Sequence, residues 1–331
     1  MMGSELISII LCTSNRSAGL RRTFESLSKV RVRSEWKVEL IVVDNASTDD
    51  TAAVVRKLVL SNIEVRYVYE GKRGKANALN AGLAQAGGDI MLFTDDDVLL
   101  AEDWAEEIVS ALLNENCDAV TGEITLASHL VRPWLGRSHR WWLASSNDAQ
   151  LHEGSRELIG ANMGFKRSVL ERVPGFDPEL GPGALGLGED TLFGWQLVEA
   201  GFKIEYVPKA KAIHQLDASR LRRRNWLNEA RKHGGTEAYV LYHWLHGSIK
   251  APRLEWLKCW TKLHLNRLLR RPPGLEEEGC PRWELSCVLN MEKCRQFCAE
   301  RRRARNYSYR GLIKRGAPAL LRQDLSPTAV S

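Results

Sequence analysis

The segment DIMLFTDDDVLL, residues Asp89–Leu100, joins a short apolar run to three consecutive carboxylates. Residues Ile90–Phe93 are all apolar, as expected of a strand buried on both faces of a parallel sheet. Asp95, Asp96 and Asp97 then lie at the carboxyl end of that strand, where open α/β sheets bind ligands. Three adjacent like charges repel each other unless cations or hydrogen-bond donors neutralise them. The triplet therefore predicts a site for a hard cation such as Mg²⁺ or Mn²⁺, with a solvated acidic turn as the alternative.

The residues before the triplet alternate between strand patterns and helix patterns. The segments LISIILC, VELIVV and IEVRYVYE are rich in apolar and β-branched residues, and each is followed by a helical pattern such as AGLRRTFESL or GKANALNAGLAQ. This alternation predicts an α/β fold with a doubly wound, mostly parallel sheet. Polar residues that follow the strands would then share the carboxyl edge with the triplet, namely Thr13, Asn15, Arg16, Asp44 and Asn45.

A second acidic pair lies at the predicted start of a later helix. The segment GPGALGLGEDTLFGWQLVEAG is a glycine-rich loop that runs into a helical pattern, with Glu189 and Asp190 in the first turn. The helix dipole there favours the ionised form of a carboxylate, which can accept a proton from a substrate hydroxyl. The alternative is a pair of helix-start charges with no further role.

Charge is divided unevenly along the 331-residue chain. Residues 1–216 hold 23 Lys and Arg against 30 Asp and Glu, whereas residues 217–331 hold 24 against 11. A basic extension after an acidic first part indicates a polyanionic partner. The segment APRLEWLKCWTKLHLNRLLRR mixes Trp256, Trp260 and leucines with lysines and arginines, which is typical of an amphipathic helix on an anionic membrane surface. The alternative is a helix packed on the first part, with its basic residues in solvent.

Hydropathy and cysteine usage bear on the cellular location. No stretch reaches the roughly 18 apolar residues of a transmembrane helix, and no basic region precedes the first apolar strand. The seven cysteines are odd in number and scattered, which argues against a disulfide framework. These patterns predict a cytoplasmic protein, either soluble or peripheral at the inner face of the membrane.

Six segments, in this order and spacing, resemble the motifs of family 2 glycosyltransferases: SIILCTSNR, LIVVDNASTDDT, GKANALNAGL, FTDDDV, GANMGFKRS and GLGEDTLFGWQLVEAGF. The resemblance covers about residues 5–216. It implies a Rossmann-like GT-A domain over residues 1–216, followed by a basic helical extension over residues 217–331. It also implies a nucleotide-sugar donor, a UDP- or GDP-sugar.

The resemblance implies that the nucleotide and its diphosphate contact the first strands and the loop before the third helix. The residues concerned are Thr13, Asn15, Arg16, Asp44, Arg73, Lys75 and Asn77. Arg73 and Lys75 are cations suited to diphosphate oxygens, and Asn77 is an amide donor. Asp44 could instead stabilise a turn with its carboxylate.

In the same family the acidic triplet corresponds to the Asp-x-Asp motif. The resemblance implies that Asp95 faces the ribose or the metal, that Asp96 contacts the nucleotide sugar, and that Asp97 binds Mg²⁺ or Mn²⁺. His214 matches the position of a further metal ligand, although a single histidine is more often structural.

The acidic pair matches the place where the family carries its catalytic base, usually the second residue. We therefore expect Asp190 to be the base, with Glu189 as its orienting partner, in a single displacement that inverts the anomeric configuration. The small residues Gly160 and Ala161 would let the sugar or acceptor approach closely, and Asn162 could bind hydroxyls. The alternative for this GANMGF segment is a strand with a tight turn.

Processive family members usually carry a Gln-x-x-Arg-Trp motif where this chain has RRRNW, with Asn225 before Trp226. We therefore expect one sugar to be transferred per encounter, to a glycan or lipid-linked acceptor in cell-surface polysaccharide or glycoconjugate synthesis. A metal-dependent nucleotidyltransferase is a rival that would not need the second acid pair. A non-enzymatic polyanion-binding protein would explain the basic extension but not the acidic first part, and no nucleic-acid partner is expected.

Overall fold

The computed structural model describes residues 5–113, 117–146 and 157–316. The strands in this part of the chain are β1 (Leu6–Thr13), β2 (Lys37–Asn45), β3 (Glu64–Glu70), β4 (Ile90–Asp95), β5 (Val98–Leu100), β6 (Ala119–Leu126), β7 (Asn162–Lys166) and β8 (Ile204–His214). The helices there are α1 (Leu20–Leu27), α2 (Thr51–Arg56), α3 (Lys75–Gln85), α4 (Trp104–Leu113), α5 (Arg137–Trp142), α6 (Glu189–Glu199), α7 (Arg223–His243), α8 (Pro252–Arg270) and α9 (Arg282–Glu300).

The strands form one sheet in the order β3-β2-β1-β4-β7-β6-β8-β5. The first four are parallel to one another, and β7 then pairs antiparallel with β4. In this register Thr13 lies beside Asp44, and Cys12 lies beside Asp95. The α/β fold with a mostly parallel sheet is therefore confirmed, and the polar residues that end β1, β2 and β4 share one edge.

Helices cover both faces of the sheet because alternate strand residues point to opposite faces. In β1, Ile9 belongs to a core cluster with Phe24 of α1 and Trp104 of α4. Its neighbour Ile10 belongs to a second cluster with residues of α3 and α6, such as Leu79. Both clusters are fully enclosed, so β1 and β4 are held rigidly beneath the edge that carries the polar residues.

The extension after residue 216 is helical, as predicted, and it packs against the first part. The buried carboxylate of Asp177 accepts hydrogen bonds from the hydroxyls of Tyr239 in α7, at 2.6 Å, and Tyr307, at 2.8 Å. The Lys314 ammonium donates to the same carboxylate. Residues 317–331 of the predicted extension lie outside the described residues.

Helix α9 packs along both α7 and α8. The carboxylate of Glu284 in α9 is fully buried and binds Arg223 of α7 at 2.5 Å and Arg267 of α8 at 2.7 Å. Burial alone would raise the pKa of Glu284, but the hydrogen bonds from these two arginines outweigh it and lower the pKa. None of the helices in the described residues is long and apolar enough to cross a membrane.

Candidate functional site

A cleft of about 730 Å³ opens at the carboxyl edge of β1 and β4. Its walls come from the loops after these strands, the amino-terminal ends of α3 and α6, and the extension. Most of the predicted site residues line it: Thr13, Asn15, Arg16, Arg73, Lys75, Asp95, Asp96, Asp97, Ala161, Glu189, Asp190 and His214. Residues far apart in the sequence are thus brought to one cavity.

Lys75 connects the acidic triplet with the second acidic pair. Its ammonium nitrogen lies 2.6 Å from one oxygen of Asp95 and 2.9 Å from the other, and 3.9 Å from Oε1 of Glu189. Burial alone would lower the pKa of Lys75, but the charge of Asp95 and the hydrogen bond to it raise the pKa well above its ordinary value. The ammonium is therefore charged at neutral pH, and it forms an ion pair with Asp95.

The other two carboxylates of the triplet have different partners and different electrostatics. Asp96 accepts a hydrogen bond from the Thr13 hydroxyl at 2.7 Å, and burial and the nearby Asp97 charge raise its pKa to about 6. Asp97 binds Arg16 at 2.9 Å. Burial alone would raise the pKa of Asp97, but a hydrogen bond from His214 and the charges of His214 and Arg16 hold it well below its ordinary value. Asp97 is therefore more firmly ionised than Asp96.

His214 is the last residue of β8, and its imidazole lies beside Asp97. Its Nδ1 lies 3.0 Å from the carbonyl oxygen of Leu143, so Nδ1 must donate a proton to that carbonyl. Its Nε2 lies 3.2 Å from Oδ1 of Asp97. A histidine whose Nδ1 is fixed by a carbonyl, with Nε2 beside a carboxylate, is well suited to bind a divalent cation.

The donor set limits how many protein ligands such a cation could have. Among the described residues, no group of three or more Asp, Glu, His or Cys side chains is arranged to hold a metal ion. Asp95 is paired with Lys75, whereas Asp97 and His214 contact each other. These two residues fit a cation that takes its other ligands from phosphate oxygens and water, as Mg²⁺ commonly does.

The second acidic pair begins α6, immediately after the left-handed Gly188. Glu189 is buried, and this burial together with the Asp190 charge raises its pKa to about 8. Asp190 also lines the cleft, where its Oδ2 accepts the Gly160 N–H at 2.8 Å and its Oδ1 accepts the Thr191 N–H at 2.7 Å. At neutral pH Glu189 is thus mostly protonated, while Asp190 is open to the cavity.

The glycine-rich loop before α6 contacts the loop before α3. The Lys75 N–H donates to the Pro182 carbonyl at 2.8 Å. Gly183 has a φ of +88°, and a Cβ at this position would lie 2.9 Å from the Gly74 Cα. Only glycine allows both the left-handed backbone and this close approach, which places Lys75 next to the acidic pair.

Asn162 does not face the cleft. Its side chain is fully buried, with Nδ2 donating to the carbonyls of Ala210 at 2.8 Å and Glu123 at 3.0 Å. Its Oδ1 accepts the Trp104 indole N–H at 2.7 Å. Its amide atoms therefore already form hydrogen bonds to two strands and a helix. The expectation that Asn162 binds sugar hydroxyls does not fit this placement.

Asp44 and Asn77 are also turned toward the protein. The buried carboxylate of Asp44 accepts the Ser47 N–H at 3.0 Å and the Tyr67 hydroxyl at 2.9 Å, so it stabilises the turn after β2. The Asn77 amide donates to the Arg73 carbonyl at 2.9 Å. Neither lines the cleft, whereas the residue after Asp44 in the sequence, an asparagine, does.

The extension supplies cleft residues that were not predicted. Glu229 of α7 accepts hydrogen bonds from Arg220 at 3.1 Å and from Lys232 at 2.7 Å, and all three residues line the cleft beside the glycine-rich loop. Trp142 of α5 lines the same region and stacks on His233, with ring centroids 4.3 Å apart. The only sequence signal was the spacing of Glu229 and Lys232 on one helix face, which is common on helix surfaces.

The chain is similar to curated glycosyltransferases over 62% of its length. It is 23% identical over 223 residues to the probable glycosyltransferase YdaM of Bacillus subtilis, and 27% identical over 210 residues to the poly-beta-1,6-N-acetyl-D-glucosamine synthase of Staphylococcus aureus. Each match covers 62% of this chain and 49% of the relative. The chain thus spans about half the length of the curated relatives that it matches.

A solved structure shares the fold. The mannosyltransferase PcManGT from Pyrobaculum calidifontis, determined in complex with GDP-Man and Mn²⁺, superposes with a TM-score of 0.52. The superposition covers 88% of this chain and 74% of that protein, at 18% sequence identity. This likeness supports the architecture described above.

The family assignment comes from the sequence itself. A family model described as Glycosyl transferase family 2 matches residues 8–173, which is half of the chain. The matched region includes the acidic triplet and the strands that carry it. The chain therefore belongs to glycosyl transferase family 2.

Proposed function

We propose that this protein transfers one sugar from a UDP- or GDP-sugar to a hydroxyl of a glycan or lipid-linked acceptor, with inversion at the anomeric carbon. Family membership supports the reaction class. The observation that carries the proposal is the position of Lys75, which contacts Asp95 at 2.6 Å and Glu189 at 3.9 Å. The residues expected to bind the donor diphosphate and those expected to activate the acceptor therefore belong to one cleft.

In this proposal Asp190 is the base. Its carboxylate takes the proton of the acceptor hydroxyl while that oxygen forms a bond to the anomeric carbon. The bond between the anomeric carbon and the diphosphate oxygen breaks at the same time, and the nucleoside diphosphate leaves with the electron pair. Glu189 is a poorer choice because it is buried and its pKa is raised to about 8, so most of it already carries a proton at neutral pH.

Cations of the cleft stabilise the leaving diphosphate. Arg73 lines the cleft, and its guanidinium forms no ion pair with any other described residue. Lys75 is already held toward the cleft by Asp95. We assign Asp97 and His214 as protein ligands of Mg²⁺ or Mn²⁺, which when bound would supply further positive charge for the departing phosphate oxygens.

The acceptor would lie between the acidic pair and the wall formed by the extension. This wall carries the polar group of Arg220, Glu229 and Lys232, and beside it the Trp142 ring of α5 offers a flat apolar surface. An aromatic ring beside polar side chains fits a hydroxylated acceptor. The wall also leaves the cleft open to solvent on one side, which is compatible with transfer of one sugar per encounter.

The first experiment is a panel of nucleotide sugars, including UDP-N-acetylglucosamine, UDP-glucose and GDP-mannose, incubated with the full chain and Mn²⁺. We expect one donor to release nucleoside diphosphate and free sugar slowly in the absence of acceptor. Release of pyrophosphate from a nucleoside triphosphate and a sugar phosphate would instead indicate a nucleotidyltransferase. The anomeric configuration of the product, read by NMR before mutarotation, tests inversion.

The second experiment compares two neighbouring substitutions. Asp190→Asn should reduce kcat by about 10²–10⁴-fold with donor binding nearly unchanged, because an amide cannot accept the proton. Glu189→Gln should cost far less, since glutamine resembles the protonated acid. The reverse order of effects would make Glu189 the base and refute the assignment within the pair.

A further inference from the structure

Helix α8 carries a row of leucines on its outer side. Leu254, Leu257, Leu265, Leu268 and Leu269 are between 50% and 75% exposed. With Thr261 they recur at spacings of three and four residues, which places them on one face of the helix. We call these five leucines the outer stripe. The usual arrangement, with apolar residues inward, is therefore reversed on this face.

The orientation of α8 is fixed by contacts on its inner side. Leu263 is buried on the side opposite the outer stripe. Arg267 binds the fully buried Glu284 of α9 at 2.7 Å. Rotating α8 to bury the outer stripe would break this ion pair and leave Glu284 with one partner fewer in the interior, which is strongly unfavourable. The stripe is thus held toward solvent by the fold.

Basic residues border the outer stripe on both sides. Arg253 lies along one border and Lys262 along the other, Arg271 directly follows the last residue of the helix, and all three are exposed. None of the three forms an ion pair with another described residue. The one acidic residue of α8, Glu255, is already paired with Lys258 at 2.7 Å. The border therefore presents uncompensated positive charge around an apolar centre.

We propose that the outer stripe of α8 docks onto an anionic lipid bilayer. A helix of 19 residues, about 28 Å long, would lie flat in the interface with its leucines among the acyl chains and its basic border at the headgroups. The tryptophans of the segment contribute less than the sequence suggested, because Trp256 is turned partly inward and Trp260 stacks on it and on His264.

The charge pattern argues against a second copy of the chain as the occupant. Two copies joined through their outer stripes would bring two uncompensated basic borders together, which is repulsive. An anionic surface instead gains from the same charges. Docking itself does not depend on the proposed function. Only the idea that the docked enzyme meets a lipid-linked acceptor rests on the proposed function.

Vesicle sedimentation tests the proposal with the full chain. Vesicles of phosphatidylcholine with phosphatidylglycerol are compared with vesicles of phosphatidylcholine alone, at low and high salt. We expect the wild type to bind the anionic vesicles, with at least tenfold weaker binding at high salt or on neutral vesicles. Two variants separate the contributions: Leu257→Gln with Leu265→Gln and Leu268→Gln, and Arg253→Glu with Lys262→Glu and Arg271→Glu.

Each triple variant should bind at least tenfold more weakly than the wild type. The matched control carries Val59→Gln, Val131→Gln and Ile313→Gln, which are exposed apolar residues away from α8, and it should bind as the wild type does. Circular dichroism and unfolding confirm that all variants are folded, and release of nucleoside diphosphate from a water-soluble donor should be unchanged. Absence of wild-type binding, equal binding by the leucine variant, or a dimer that the leucine variant abolishes would each overturn the proposal.

Discussion

Two neighbouring carboxylates begin α6 and yet have different chemistry. The carboxyl group of Glu189 is buried near Lys75, and burial and the charge of Asp190 raise its pKa to about 8. Asp190 points into the cleft, where the Gly160 and Thr191 N–H groups bind its two oxygens. The backbone donors fix the orientation of the Asp190 carboxylate, whereas a buried carboxyl group beside a like charge tends to keep its proton. This difference favours Asp190 as the base.

The raised pKa of Glu189 has a consequence for stability. Between its ordinary value of 4.5 and about 8, the folded protein keeps a proton that the unfolded chain has lost, so the free energy of unfolding falls as the pH rises through this window. Glu189→Gln removes that dependence. Each unit of difference in pKa corresponds to about 1.4 kcal/mol. The free energy of unfolding of the variant should therefore increase relative to that of the wild type, by roughly a few kcal/mol, as the pH rises from 5 to 8. Urea unfolding measures this gain.

The control for this measurement is Glu199→Gln, an exposed acid at the end of the same helix. Its unfolding free energy should follow that of the wild type across the pH range. If Glu189→Gln also followed the wild type, Glu189 would be ionised in the folded protein, and its exclusion as the base would lose its main support.

The proposed cation ligands make a separate prediction. Asp97→Asn should weaken binding of Mn²⁺ in the presence of nucleoside diphosphate by at least about tenfold, because Asp97 and His214 are the only protein groups assigned to the ion. Isothermal titration with Mn²⁺ measures this directly, and chelation should stop donor turnover. Asp50→Asn, at an exposed acid on the same edge, is the control. Full turnover in excess chelator would refute the assignment.

Whether the role of a single residue could be predicted depends on how far away in the sequence its contact partners lie. The acidic triplet and acidic pair were found because unusual runs of charge mark them in the sequence. Asp44 and Asn162 were expected in the cleft, but hydrogen bonds to Tyr67 and Trp104 hold them inside. These partners are 23 and 58 residues away, so no local pattern could have revealed them.

The glycine-rich loop is the element that positions both sides of the cleft. Gly183→Ala should lower kcat/KM by about tenfold or more, because its Cβ would lie 2.9 Å from the Gly74 Cα and push apart the loops that carry Lys75 and Asp190. Gly201→Ala shares the left-handed backbone, at a φ of +89°, but its Cβ would meet no atom within 4 Å. Both variants should lose about 1 kcal/mol of stability from backbone strain. Equal activity in the two would argue against a role of this contact.

The three long helices of the extension are joined by one buried charge. Glu284→Gln should lower the free energy of unfolding by about 3–5 kcal/mol, since it leaves Arg223 and Arg267 without their carboxylate. Glu276→Gln removes an exposed carboxylate that pairs with two other arginines, and should cost under about 1 kcal/mol. Urea unfolding of both variants tests this. A small effect at Glu284 would show that helix packing alone orients α8.

Strands and helices of the first part were predicted well because their hydrophobic period is regular and their ends carry glycines or polar residues. The helices of the extension were predicted as helices, but the direction of their apolar faces was not. In α8, leucines and basic residues alternate along the sequence, and the buried ion pair of Arg267 with Glu284 selects the inward face. That choice depends on α9, which the α8 sequence does not contain.

The division of the chain at residue 216 is testable as a whole. A chain ending at Leu216 would lose α7, which supplies cleft residues, and the two tyrosines that bind Asp177. We expect it to show no cooperative unfolding transition and no binding of nucleoside diphosphate, whereas the full chain shows both. Thermal unfolding by circular dichroism and calorimetric titration check this. Cooperative unfolding with full binding would make residue 216 a true domain boundary.

The cleft is built from two stretches of chain, one inside the family match and one beyond it. The family match ends at residue 173, whereas the polar wall of Arg220, Glu229 and Lys232 lies beyond it. In the proposed reaction Arg73, Lys75 and Asp97 of the matched stretch serve the leaving diphosphate, and the polar wall meets the acceptor. Substitutions in the wall can therefore alter the choice of acceptor without touching the residues that hold the leaving group.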